Sequence, residues 1–406
     1  MSPPSWSEKN LGGLVDFFDH QRIPLSGTVR QGRQGPYPYY GASGIIDHID
    51  DYIFDGRYLL VAEDGENLRS RKTPIAFFAD GKFWVNNHAH IIRAKDGEAD
   101  DYFLKAWLDN ADISGYITGA AQPKLSQENL KRIKLCIPKI GTQRKIAAIL
   151  SAYDDLIENN TRRIKILEEM AQMIYREWFV NFRFPGHENV KMVESELGMI
   201  PEGWVVKKFG DVVELVREGI NPSKFADETF AHLSIPAFDE DAMPVLERGE
   251  TIKSGKYLVP SDCILLSKIN PRIPRIWLPF LDDFVHAIAS TEFLPLVSRP
   301  PLSRFFVFAL ISTPEFLGEF AGRALGTSTS HQRVKPEDFL NMQVIVPSEP
   351  LARNYADSAE PLFTLVHKLR VKNTNLRRTR DLLLPRLISG EIDVGNFDID
   401  TGEVPA

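Results

Sequence analysis

The chain has 406 residues, of which 43% are apolar, 25% charged and 10% aromatic, a globular composition at a length where one hydrophobic core has usually stopped growing, so at least two domains are expected. Its longest uninterrupted apolar run covers residues 305–311, far short of the roughly 20 residues a membrane span needs, and the Met-Ser-Pro-Pro start carries no apolar signal core; a cytoplasmic protein that meets no membrane is expected. The net charge of −7 argues mildly against a polyanionic partner, but the acidic excess sits in residues 191–350, and Lys368, Arg370, Lys372, Arg377, Arg378 and Arg380 occur with no acid among them, so bulk charge decides nothing.

In chain order, residues 1–140 read as a mixed domain with more strand than helix, from short β-branched or aromatic runs such as 58–62 and 75–79 broken by Gly, Pro, Asn and Asp. Residues 37–44 (YPYYGASG) set aromatics beside small residues where a nucleic-acid backbone or base could approach Tyr39, Tyr40 and Ser43. After the strand-like 83–85, the sequence Asn86-Asn87-His88-Ala89-His90 places two histidines two apart, which on a strand could reach one metal from the same face. Nothing in the sequence completes such a site: His20 and His48 lie too far off, and Asp64 and Glu66 could join only through folding. The plainer expectation is a satisfied polar strand end or a DNA-facing edge using Asn87 and His88. The loop 119–127 (GAAQPKLSQ) adds an amide and a cation, Gln122 and Lys124.

A long helix is expected over 141–190, ended by Phe184-Pro185-Gly186-His187, and residues 197–204 (LGMIPEGW) lead into a second mixed domain over 191–350. A second long helix and tail fill 351–406. An internal repeat ties the two halves together: a shift of 209 residues sets 125–179 on 334–388 without a gap, with Asn129-Leu130 on Asp338-Phe339 and Ile137-Pro138 on Val346-Pro347. Each copy reads as a polar loop, a short helix, a β-branched strand ending in Pro, then the long helix. The repeat partner of loop 119–127 is 326–333 (GTSTSHQR), whose Thr327, Ser328, Thr329, His331, Gln332 and Arg333 offer groups that contact phosphates and base edges.

Both helices carry a sustained heptad seam. The first runs through Ile146, Leu150, Tyr153, Ile157, Asn160, Ile164, Leu167, Ala171, Ile174 and Trp178; the second through Tyr355, Ala359, Leu362, Val366, Leu369, Asn373, Leu376, Arg380, Leu383 and Leu387. At ~1.5 Å rise per residue such helices are roughly 50 Å long and act as spacers. An antiparallel pairing that sets Ile146 against Leu387 and Trp178 against Tyr355 brings Asn160 to Asn373, a matched polar pair that locks register; a parallel pairing would set Asn160 against Leu369.

Catalytic motifs do not emerge. No nucleophile elbow, zinc-protease helix, phosphate-binding loop or cofactor-binding glycine fingerprint is present, and Cys136 and Cys263 lack any metal-ligand spacing, so no catalytic or metal residue is expected.

The strings 37–56 (YPYYGASGIIDHIDDYIFDG), 58–64 (YLLVAED), 82–90 (KFWVNNHAH), 121–133 (AQPKLSQENLKRI), Gln143-Arg144-Lys145-Ile146-Ala147 and 197–204 resemble the DNA specificity subunit of type I restriction-modification systems. The resemblance implies an α+β fold of two mixed α/β target recognition domains, each followed by a long helix, the two helices pairing as an antiparallel coiled coil in a pseudo-twofold repeat. It implies that the chain is not itself an enzyme, binds double-stranded DNA at a bipartite target, and docks two modification subunits and restriction subunits. S-adenosylmethionine, ATP and Mg would be used by those partners, with no cofactor here. One departure is that 326–331 replaces the Ala-Gln-Pro-Lys of the first half. Two other classes stay open: a histidine- or metal-dependent hydrolase built on Asn87, His88 and His90, which would turn over substrate alone, and a coiled-coil scaffold that binds only protein.

Overall fold

The computed structural model describes residues 6–281, 286–325 and 332–402. The chain forms two compact units, Met1–Ile157 with Asn375–Ala406, and Glu158–Thr374. Each unit therefore takes part of each long helix, Ile140–Tyr175 and Glu349–Ile388.

In the first unit, Ser7–Asn10 pairs antiparallel with Lys134–Ile137. An antiparallel sheet follows in the order Val15–Phe17, Ala89–Ala94, Tyr58–Ala62, Ala76–Ala79. Its central strand YLLVA is apolar on both faces because both are covered. Leu59 and Val61 join a core with Phe103, Leu104 and Leu130, while Leu60 joins Phe54, Phe83 and Ile91. A second sheet runs Gly44–Ile49, Gln34–Gly41, Lys82–Val85, Phe54–Asp55, with Gln34–Gly41 parallel to Lys82–Val85. Helix Asp101–Asn110 starts at Asp100, whose carboxylate accepts from the Phe103 amide at 2.9 Å.

This unit also holds one end of the helix pair. Ile146 and Leu150 are buried with Leu387, Ile388 and Val394, and Leu383 packs against them. The tail is fixed by the Lys145 ammonium, which donates to the carbonyls of Gly395 (2.9 Å) and Phe397 (2.7 Å). Asp154 accepts from both Tyr102 and Arg380. Tyr153 is half-buried and Ile157 buried.

The second unit repeats the plan. Val205–Lys208 pairs with Gln343–Val346, and an antiparallel sheet runs Val213–Leu215, Phe293–Ser298, Ile264–Ser267, Ile276–Trp277. The other sheet has one strand more than its counterpart: Gly219–Ile220, Lys256–Leu258, His286–Ser290, Thr229–Leu233, Val245–Arg248, again with one parallel pair, Thr229–Leu233 and His286–Ser290. The longest apolar run of the sequence is the helix Arg304–Ile311, with Phe305, Phe306, Val307, Ala309 and Ile311 buried in the core. Among the described residues no single helix is long and apolar enough to cross a membrane.

The helix segments in this unit run antiparallel, since contacts descend along one as they ascend along the other. Asn160 Nδ2 donates to Asn373 Oδ1 at 2.8 Å, Arg370 pairs with Glu168 at 2.7 Å, and the Tyr355 hydroxyl donates to the Ala171 carbonyl at 3.2 Å. Tyr355 is fully buried, with Tyr175, Trp178, Phe179 and Phe306 around its ring. Val366 and Leu369 are buried and Ile164, Leu167 and Leu362 half-buried; in the first unit Leu376 and Leu383 are half-buried. The first helix is α-helical only to Tyr175. It ends in a π-helical turn, Arg176–Val180, short of the Phe184-Pro185 stop expected from the sequence, because Phe179 and Trp178 turn inward onto Tyr355.

Candidate nucleic-acid interface

In the first unit the candidate residues gather where strand Tyr58–Ala62 ends. The Glu63 amide donates to the His88 carbonyl (2.9 Å) and the Leu125 amide to the Glu63 carbonyl (2.7 Å). Thr118 and Lys124 exchange main-chain bonds of 2.8 Å each. Arg69 donates to the carbonyls of Ala120 (3.0 Å) and Gly119 (2.6 Å), fastening loop 118–125 to the turn beneath it. Gly119 has φ +85°, and a Cβ there would stand 2.1 Å from the Gln122 carbonyl oxygen, so only glycine closes this loop. On this rim His88 Nδ1 bonds Asp64 at 2.7 Å, Lys124 Nζ lies 3.3 Å from Glu63, and the side chains of Asn87 and Gln122 are exposed.

Behind the rim lies a dense charged network. His90 is buried, its Nδ1 2.6 Å from Asp19 and its Nε2 donating to the Leu125 carbonyl at 2.7 Å. Asp19 accepts further bonds from the Ile91 amide and Gln127, and Arg22 donates to Glu63 and to the Ala89 carbonyl. Burial alone would raise the Asp19 carboxyl, but the His90 bond and charge, the Ile91 amide and Arg22 outweigh it and hold it below its ordinary value. Asp19, Glu63 and His90 put ligand atoms within 4.8 Å of one another. Arg22, Lys124 and Gln127 already engage the same carboxylates, a set of donors that completes a self-neutralised network and does not fit a divalent cation. The alternative weighed in the sequence, His88 and His90 reaching one metal together, finds no support in the side-chain partners: His90 turns into this network, while His88 stays on the rim with Asp64.

The remaining candidates separate. Tyr39, expected to face DNA, is fully buried. Its hydroxyl accepts from the Leu25 amide at 2.9 Å and its ring joins Ile49 and Trp84 in a small core, so it cannot reach a duplex from there. Tyr40 is half-buried, packed 5.6 Å from Phe83 and 6.0 Å from Phe77. Ser43 is exposed on the turn between Gln34–Gly41 and Gly44–Ile49, and among the described residues no hydrogen bond or ion pair brings it to the rim. Thr327, Ser328, Thr329 and His331 lie outside the described residues.

Gln332 and Arg333 fall on a second rim, where strand Ile264–Ser267 ends. The Lys268 amide donates to the Glu292 carbonyl (2.9 Å), the Val334 amide to the Lys268 carbonyl (3.1 Å), and Arg333 exchanges main-chain bonds with Leu325 (3.0 and 3.1 Å). The Gln332 carbonyl accepts from the Asn270 amide. Arg333 clamps Glu292, Nε to Oε2 at 3.0 Å and Nη2 to Oε1 at 2.9 Å. Reading by residue type missed Arg22, Arg69, Asp19 and Glu292. The two halves align without gaps only beyond residue 125, so the sequence offered no register that would set Glu292 against His88.

Comparison with known proteins bears on the chain as a whole. Residues 3–169 match the family described as the type I restriction modification DNA specificity domain. The type I restriction enzyme MjaIX specificity subunit of Methanocaldococcus jannaschii is 27% identical over 96% of each chain. A protein of the same organism, provisionally named as the type I restriction enzyme MjaX specificity subunit, is 30% identical over 75% of this chain and 71% of its own. The crystal structure of a type I restriction-modification S subunit from M. genitalium shares the fold, with a TM-score of 0.60 at 14% identity over 94% of this chain and 96% of that one.

Proposed function

This chain belongs to the DNA specificity subunits of type I restriction-modification systems, and from that premise we propose that it reads a bipartite duplex target, one half-site with each unit, as the non-catalytic recognition subunit of a cytoplasmic complex. The observation that carries the reading is the repeated rim: one main-chain frame, built once in each unit, bears different charged side chains. Such a frame suits readers of two different half-sites. Two modification subunits dock on the long helices and restriction subunits join them, and S-adenosylmethionine, ATP and Mg serve those partners' chemistry. The net charge of −7 fits a chain that leaves most phosphate neutralisation to its partners and supplies base readout itself.

Exchange of residues 1–140 for the matching part of a relative, in complex with the modification subunits, tests the reading. One half of the bound target changes and the other stays. Both halves changing together would overturn the modular assignment.

A further inference from the structure

We infer that position 292 in the second unit and its counterpart 88 in the first are specificity-determining residues facing base edges, with Glu292 an acceptor for an exocyclic base amine and Arg333 its positioning residue. The inference rests on the DNA-reading function proposed above and deepens it.

The two rims correspond hydrogen bond for hydrogen bond. Glu63 to His88 matches Lys268 to Glu292, Leu125 to Glu63 matches Val334 to Lys268, and the double exchange of Thr118 with Lys124 matches that of Leu325 with Arg333. Isolated bridges join Asp64 to Lys124 and Ile269 to Arg333 in the same way. Every one of these bonds is main chain to main chain, so none of them draws on the side chains at 63, 64, 88 and 124 or at 268, 269, 292 and 333. The side chains have indeed diverged: Glu63 stands where the second unit has Lys268, Asp64 where it has Ile269, and His88 where it has Glu292. Only the cation at 124 and 333 keeps its sign. A position whose side chain the frame does not use, and which changes from an imidazole to a carboxylate between two rims of the same main-chain frame, is where two readers of different sequences should differ.

The chemistry at 292 is specific. A carboxylate only accepts, and the base donors of the major groove are the exocyclic amines of cytosine and adenine. The bidentate Arg333 clamp fixes the plane of the carboxylate and offsets a charge that phosphates would otherwise repel. Both side chains stay within reach of solvent, Glu292 at 26% and Arg333 at 43% exposure. In the first unit His88 is 46% exposed and is oriented in turn by Asp64.

The test uses the full chain with its modification subunits. Bound duplexes are selected from a random pool by the wild type, E292Q, E292A, R333K and H88Q, and affinities for single-base variants of the selected site are measured. The wild type requires cytosine or adenine at one position of one half-site; E292Q and E292A lower the discrimination there by about tenfold or more and leave the other half-site unchanged. R333K weakens the same preference without changing affinity for random duplex, which a merely structural arginine would not do. H88Q acts on the other half-site only. Unchanged base preference in E292Q and E292A, or an equal loss for all sequences, overturns the assignment while the DNA-reading function stands. A wild-type complex that selects no sequence overturns that function and this assignment with it.

Discussion

Asp19 shows how one side chain organises the ground beneath a reading surface. Its carboxylate ties the His90 ring, the Ile91 amide and Gln127 into one cluster, and the Leu125 carbonyl that closes the cluster belongs to the rim loop. Because its folded pKa lies below the ordinary 3.8, its ionisation stabilises the fold fully above that ordinary value, and the contribution is lost as pH falls through the lower folded value. Asp19→Asn removes that contribution. Urea unfolding of the full chain from neutral pH downwards should show the wild type more stable than the variant near pH 7 and the difference shrinking below about pH 4. A difference independent of pH would mean that Asp19 acts through shape alone. Tyr39 makes the complementary point about what residue type conveys. Adjacent tyrosines in a strand point to opposite faces, and the register shifts between Gln34 and Tyr37 and between Tyr39 and Tyr40, so the run 37–40 does not announce which ring goes inside.

The helix pair is the element most legible in the sequence, because a heptad seam is a local pattern and needs no knowledge of the rest of the fold. Asn160 and Asn373 meet across it, both nearly fully buried, and Asn373 also donates to the Thr161 hydroxyl. Asn160→Leu takes the amide away from a buried carbonyl and should destabilise the full chain by about 1–3 kcal/mol in urea. The double variant Asn160→Leu, Asn373→Leu should regain most of that loss, since an apolar seam replaces a matched polar pair. No loss in the single variant would show that the pair contributes nothing to stability. The rims were less legible for a physical reason. Each is assembled from strand ends and loops far apart in sequence, 63–64, 88 and 118–125 in one unit, and among the described residues 268–269, 292, 325 and 332–333 in the other. Lys124 was visible as a cation in a loop, but its carboxylate partner Glu63 comes from another strand end, and a contact of that range leaves no periodic trace. The same holds for Arg333 and Glu292.

At the scale of the whole molecule, the chain is one plan used twice, with a main-chain frame in each unit that fixes a rim and leaves its side chains to vary. The measurement that bears most directly on this is selection of bound duplexes from a random pool by the full chain with its modification subunits. The account predicts a bipartite consensus, two short defined half-sites that differ in sequence and are separated by a gap of fixed length and no base preference. Recovery of no consensus, or of a single contiguous site, would contradict it.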